Sequence, residues 1–243
     1  MKVMETELSV VIPFYNEAAN VAPLLADLQA ALAALDLTAE VICIDDGSRD
    51  GTDAALVGAA RAWPAIRVER FAENSGQAAA LRHGFTVARA PWIAMLDGDG
   101  QNPPSELARL WVLRETADMI AGARARRQDS TLRLAMSRLA NAVRRTLLRD
   151  GVSDTGCSLK LFRREVAASF RPIRTMYSFL PAFAAAAGFT VREVPVAHRP
   201  RRAGESKYGL RAMAVRPLID LLTLAWQLRR APRLKASAIP PRA

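Results

Sequence analysis

Four short strand-like segments in the first hundred residues each end in a polar, turn-forming cluster, and helical periodicity follows each of the first three. Leu8 to Pro13 reads as a strand and leads through Asn16-Glu17 into an Ala/Leu-rich helix over 18–35. Glu40 to Ile44 is a second strand, closed by Asp45-Asp46-Gly47-Ser48. Thr52 to Arg61 is a second helix, with Asp50 or Thr52 as its cap. Ile66 to Phe71 is a third strand, Ser75 to Ala88 a helix, and Trp92 to Leu96 a fourth strand. Alternation through short connections predicts a doubly wound, mostly parallel sheet flanked by helices. Such a sheet gathers the carboxyl ends of its strands along one edge, where open α/β sheets hold their ligands.

The second half is less regular. Met119 to Ala121 reads as a further strand and runs into the basic segment 124–127. Thr131 to Leu148 is a helix with Leu132, Met136, Leu139, Val143 and Leu147 along one stripe. Ser158 to Phe162 is a strand flanked by Arg163 and Arg164, Phe179 to Ala187 a helix, and Thr190 to Val196 an edge strand. Lys160 falls inside that first strand and reads, like its arginine neighbours, as a flanking charge. Val215 to Leu228 is a last apolar helix, but Arg216 and Arg229 leave only twelve residues between them and Asp220 sits inside. That is too short to span a bilayer.

Composition narrows the class. A chain of 243 residues, 51% hydrophobic, can bury a full core as one large domain or one and a half. Met1 to Glu7 is polar and Leu8 to Phe14 is too short for a signal segment; Cys43 and Cys157 lack metal spacing. A reduced, cytoplasmic chain is therefore expected. Residues 1–100 carry 7 Lys/Arg against 14 Asp/Glu, whereas residues 101–243 carry 27 against 10. A basic half of this kind points to an anionic partner, nucleic acid or a membrane surface. No nucleic-acid-binding motif accompanies it, and a purely basic binding protein would leave the acidic turns idle.

The chemistry sits at the strand ends. Asp97-Gly98-Asp99 follows the fourth strand, with Gln101, Asn102 and two prolines behind it. Two carboxylates and an amide oxygen form an all-oxygen set suited to Mg²⁺ or Mn²⁺, which commonly bind through one or two carboxylates and a substrate's phosphates. VIPFYNE ends the first strand and IDDGSRDGT the second. ENSGQAAALRHG places Asn74 and Gly76 at a helix start, where backbone N–H groups can receive an anion. HRPRRAGESKYG is a basic, glycine-containing loop with Ser206 and Lys207. Any one of these is equally a solvated turn; together they describe a single polar edge. His83 and His198 have no second histidine or cysteine at ligand spacing.

VIPFYNE, IDDGSRDGT, NSGQ, LDGDGQNPP, DTGCSLKLFRR and HRPRRAGESKYG, in this order and spacing over residues 7 to 210, resemble the family 2 glycosyltransferases. Within that family the chain is similar to polyprenyl-phosphate sugar transferases of the dolichol-phosphate mannose synthase kind. The resemblance implies an α/β, Rossmann-like fold of the glycosyltransferase A type, and in departure from many relatives no transmembrane helix is expected. It implies a catalytic domain over 1–210, an amphipathic C-terminal helix over 211–232 and a disordered tail over 233–243. Pro13, Tyr15, Glu17 and Asp46 would line the donor's nucleoside pocket, and Asn74 would also bind the donor. Asp97 would face ribose and metal, and Asp99 and Gln101 would hold the metal against the diphosphate. Arg201, Ser206 and Lys207 would close over the same diphosphate.

On the acceptor side, Arg124 and Arg138 match the family's phosphate-binding arginines, with Arg126 and Arg127 as neighbours, and Asp154 matches a carboxylate beside the sugar. The resemblance thus implies an inverting, metal-dependent hexosyltransferase of cell-envelope biosynthesis. It would move a sugar from UDP or GDP to an undecaprenyl or dolichyl phosphate on the cytoplasmic face of the inner membrane. The alternative is transfer to a hydroxyl of a glycan or glycolipid. Gly98 and Gly100 stand where relatives carry apolar residues, and Asn102 where many carry Asp, so a more flexible turn is expected. Many relatives add transmembrane helices; here the basic helices over 131–148 and 215–228 would either lie peripherally on an anionic leaflet or pack on the core or on another subunit as a homo-oligomer.

Overall fold

The computed structural model describes residues 6–125, Leu148 and 150–200. The helices expected over 131–148 and 215–228 fall outside the described residues apart from Leu148, as do Arg126, Arg127, Arg138, Arg201, Ser206 and Lys207.

Seven strands form one sheet. They are β1 (Leu8–Phe14), β2 (Ala39–Asp45), β3 (Ile66–Arg70), β4 (Trp92–Met95), β5 (Met119–Arg124), β6 (Lys160–Arg163) and β7 (Val191–Val196), in the order β3-β2-β1-β4-β6-β5-β7. β1 is fully buried at the centre and pairs in parallel with β2 and β4; β2–β3 and β5–β7 are parallel too. Only β6 runs the other way, antiparallel to both β4 and β5. Among the described residues the α-helices with both ends placed are α1 (Ala18–Ala34), α2 (Thr52–Ala62), α3 (Gln77–Val87), the short α4 (Leu107–Val112) and α5 (Leu180–Ala186).

Side-chain alternation sorts the core into two layers. Val10, Ile12 and Phe14 of β1, with Val41 and Cys43 of β2, meet Leu24, Leu28 and Leu56 of α1 and α2. Val11, Ile42 and Ile44 point the other way and meet Leu81 and Phe85 of α3, with Phe183 of α5 beyond. Period-two alternation on strands buried on both faces makes this possible, because each residue has a helix to face. Both cysteines are buried and unbridged, and burial pushes the Cys43 thiol far above its ordinary pKa. Among the described residues no helix is long and apolar enough to cross a membrane.

The topology has one consequence for chemistry. β1, β2, β4 and β5 deliver their carboxyl ends to the same edge, and antiparallel β6 starts there. The segment 154–159 that leads into β6 is therefore brought beside the turn after β4, with Lys160 in register with Met95 of β4 and Ala121 of β5. Helix starts differ slightly from expectation: Gly51, in the left-handed region at φ +90°, caps α2, and Gly76 at φ +91° caps α3. Asp50 still serves the first turn of α2 from outside, its Oδ1 accepting from Thr52 N at 3.1 Å.

Candidate active site

The first two strand ends are sewn to each other by their own side chains. Asn16 N donates to Ser48 Oγ at 2.9 Å, and Asn16 Oδ1 accepts from Arg49 N at 2.8 Å. Glu17 N donates to Thr52 Oγ1 at 2.9 Å, and the Glu17 carboxylate accepts from Asn20 Nδ2 at 2.6 Å. Asn16 sits at φ +50°, a left-handed conformation that Asn tolerates better than most residues. The loops after β1 and β2 thus form one rigid wall carrying Pro13, Tyr15 and Glu17.

Asp46 and Asn74 are bonded to each other. Asp46 Oδ2 accepts from Asn74 Nδ2 and from Gly76 N, both at 2.9 Å, and Oδ1 accepts from Ser75 N at 2.7 Å. Burial raises the Asp46 pKa, against the pull of the Ser75 and Gly76 amides. These hydrogen bonds fix the turn into α3. Gly47 is obligatory there. At φ +69° its missing Cβ would lie 2.6 Å from the Glu73 carbonyl carbon.

The turn after β4 is packed as well as polar. Asp97 Oδ1 accepts from Gln77 Nε2 at 2.7 Å, which ties the turn to the start of α3. Asp99 is 7% exposed, with Oδ1 accepting from Gln101 N at 3.1 Å, and the Gln101 carbonyl accepts from Arg199 N at 2.8 Å. Gly98 departs from the flexible turn expected: a Cβ there would stand 2.7 Å from the Phe14 ring and 2.8 Å from the Pro13 carbonyl oxygen. Glycine lets the turn lie directly on the end of β1. Asn102 anchors its far side by donating to Ser158 Oγ at 2.6 Å.

Across the edge, Arg124 at the end of β5 grips Asp154 with both arms of its guanidinium. Nε lies 2.7 Å from Oδ2 and Nη2 2.8 Å from Oδ1, while Arg124 N donates to Oδ2 at 3.1 Å. Glu193 on β7 holds the preceding backbone, accepting from Ser153 N at 2.8 Å, Ser153 Oγ at 2.6 Å and Asp154 N at 2.9 Å. A planar fork matched to a carboxylate fixes orientation as well as charge. The geometry therefore presents Arg124 and Asp154 as one unit, buttressed from β7.

A groove of about 420 Å³ lined by Arg82, Phe85, Arg164 and Phe170 lies toward the other end of α3, away from these loops. The cavity beside the acidic turn is smaller, about 70 Å³, and its lining includes Gln77, Asp97, Ser158 and Lys160.

Comparison with known proteins fits this arrangement. The family model described as glycosyl transferase family 2 matches residues 9–170, which holds every strand end described above except those of β7. The chain belongs to glycosyl transferase family 2. A dodecaprenyl-phosphate galacturonate synthase from Rhizobium johnstonii is 34% identical over 236 residues, covering 93% of this chain and 69% of its own. An undecaprenyl-phosphate 4-deoxy-4-formamido-L-arabinose transferase from Pseudomonas aeruginosa is 37% identical over 219 residues, covering 89% and 64%. The chain thus spans about two thirds of the length of these curated relatives. Among solved structures, a mannosyltransferase from Pyrobaculum calidifontis in complex with GDP-Man and Mn²⁺ superimposes with a TM-score of 0.67 at 21% identity, covering 93% of this chain and 66% of that one. The fold is of the glycosyltransferase A type.

In this glycosyltransferase the acidic turn suits a hard cation. Among the described residues no three or more His, Cys, Asp or Glu gather in ligating geometry. Two carboxylates and an amide oxygen on a turn that is firmly tied down match the sparse protein contribution Mg²⁺ or Mn²⁺ needs when phosphates and water complete the shell. The fit is therefore to a cation held jointly with a phosphate-bearing substrate.

Lys160, expected as a charge flanking its strand, is instead buried within the sheet as the first residue of β6. It is 1% exposed, and its ammonium donates to the Cys157 carbonyl. Burial pushes its pKa below the ordinary lysine value, opposed by Cys157, Asp97 and Asp154. A lysine in an apolar strand with no carboxylate at strand spacing was the available signal. Glu193 carried no comparable signal, because its partners lie about 40 residues away.

Proposed function

We propose that this glycosyltransferase moves a sugar from a UDP- or GDP-linked donor to a polyprenyl phosphate, inverting the anomeric centre, with Mg²⁺ or Mn²⁺. The observation that carries the reading is the meeting of two chemistries at one sheet edge, the Asp97–Gln101 turn and the Arg124–Asp154 pair. The names of the relatives, which act on dodecaprenyl and undecaprenyl phosphates, and the GDP-Man and Mn²⁺ of the Pyrobaculum complex support it.

Pro13, Tyr15 and Glu17 on the sewn loops form the nucleoside wall, with Asp46 and Asn74 shaping its floor. Asp97 orients the ribose, and Asp99 and Gln101 hold the cation. When bound, the cation neutralises charge developing on the departing nucleoside diphosphate. Arg201, Ser206 and Lys207 act on the same diphosphate. A lipid monophosphate has a second pKa of about 6 and is nearly dianionic at neutral pH, so it attacks without a strong base. It needs positioning against the repulsion of the donor diphosphate, and Arg124 and Arg138 supply that. Asp154, engaged by Arg124 through both oxygens, orients that arginine and the acceptor rather than abstracting a proton. Attack from the face opposite the leaving group converts an α-linked donor to a β-linked product.

Membrane contact in this reading is peripheral, at the cytoplasmic face of the inner membrane, through the basic amphipathic sequences over 131–148 and 215–228. The test is a donor panel. Protein, Mg²⁺ or Mn²⁺ and undecaprenyl phosphate are combined with individual UDP- and GDP-sugars, and released nucleoside diphosphate is measured. Release from one donor is expected, and release from none overturns the reading.

A further inference from the structure

We infer that the 70 Å³ cavity beneath Asp97 is the subsite for a hydroxyl-bearing edge of the transferred sugar, and that Lys160 is the hydrogen-bond donor that reads it. The inference rests on the nucleotide-sugar reading above and adds to it the residues that choose the sugar.

The cavity lies where the turn after β4, the start of α3 and the segment before β6 converge. Its walls include Gln77, Asp97, Thr155, Ser158, Lys160 and Tyr177. A water molecule takes about 30 Å³, so the space admits roughly two such volumes. That is too little for a pyranose ring and enough for an exocyclic group or two adjacent hydroxyls. The lining mixes donors and acceptors, as hydroxyls require, since each donates one hydrogen and accepts others. A phosphate would meet the Asp97 carboxylate, and a nucleobase is larger than the space itself.

Lys160 gives the cavity its direction. Its side chain can donate more than one hydrogen bond in either protonation state, yet among the described residues its hydrogen bond goes to the Cys157 carbonyl alone. A lysine buried to 1% exposure with no ion pair among the described residues is costly to keep, and an apolar side chain would fill the same place between β4 and β5 more cheaply. Hydrogen-bonding capacity therefore remains beside a polar cavity next to the turn that holds the donor. Asp97, assigned to ribose and cation in the proposed function, also lines this cavity and so joins the two.

The experiment compares a nucleotide sugar with its bare nucleotide. Calorimetric titration of wild-type protein with UDP, GDP, UDP-glucose, UDP-galacturonate and GDP-mannose in Mg²⁺ first establishes donor binding; failure to bind any nucleotide ends the broader reading and this one with it. Lys160→Met keeps length and removes the N–H donors. Lys160→Met is expected to weaken the bound nucleotide sugar about tenfold or more, the loss of one hydrogen bond from a charged group, while changing the bare nucleotide by less than about twofold. Thr155→Val, on a partly exposed wall, should shift the same ratio in the same direction and decides the matter if Lys160→Met does not fold. Equal weakening of both ligands, or no change in either, would show a purely structural lysine and overturn the inference.

Discussion

Asp99→Ala is expected to lower sugar transfer by about a thousandfold while leaving the protein folded, the scale seen when one preorganised electrostatic contact to a developing charge is removed. Stability should change little. The hydrogen bond that nearly buried Asp99 accepts from Gln101 N is worth about 1 kcal/mol, small beside the activity it is expected to supply. Circular dichroism and an unfolding midpoint close to wild type would separate lost chemistry from lost fold. Chelation with EDTA should reproduce the defect, and added Mg²⁺ or Mn²⁺ should reverse it in wild type but not in Asp99→Ala. Near-normal transfer in EDTA would contradict the role given to the acidic turn.

The second large effect concerns Arg124 and Asp154, whose side chains are only 17% and 10% exposed. Removing one partner takes a bidentate, charge-assisted contact from the other in a confined site, where a Cβ on Gly156 would stand 2.6 Å from Arg124 Nη2. Arg124→Ala or Asp154→Ala should each cost about 3 kcal/mol of stability. The doubly substituted chain should cost less than the sum, with a coupling of about 2 kcal/mol in a double-mutant cycle. Replacing both with Arg124→Met and Asp154→Leu should recover much of the stability, because a well-packed apolar pair avoids the desolvation of two charges. Transfer to undecaprenyl phosphate should nevertheless stay at least about tenfold down, with binding of the bare nucleotide unchanged. Loss of nucleotide binding in that variant would place the pair on the donor side instead.

The parallel half of the sheet was legible because its signals are local. β1, β2 and β4 are apolar runs cut by Gly, Pro, Asp or Asn, β3 alternates apolar and charged residues, and the helices between them carry regular apolar spacing. The acidic turn was legible for the same reason, since its chemistry lies within five consecutive residues. The antiparallel direction of β6 was not, because strand direction depends on how residues 126–159 return and no short motif encodes that. α4, six residues between charged neighbours, is too short to show a period. Partners at long range were hidden as well. Arg124 and Asp154 could be named separately, but their bidentate contact spans 30 positions and its Glu193 support another 39. Gly98 was read as a source of flexibility because sequence shows only a missing side chain. The structure shows the ring of Phe14 and the carbonyl of Pro13 occupying the space a side chain would need.

A lipid phosphate as acceptor is the central claim, and a comparison of acceptors tests it most directly. With the donor identified by the panel, transfer is measured to undecaprenyl phosphate, to undecaprenol, and to a water-soluble oligosaccharide, in the same detergent and with the same cation. The account predicts a radiolabelled lipid product with the phosphate and none with the alcohol or the oligosaccharide, because Arg124 has a dianion to hold only in the first case. Comparable transfer to undecaprenol or to the oligosaccharide would contradict it and make this enzyme a transferase acting on hydroxyl groups.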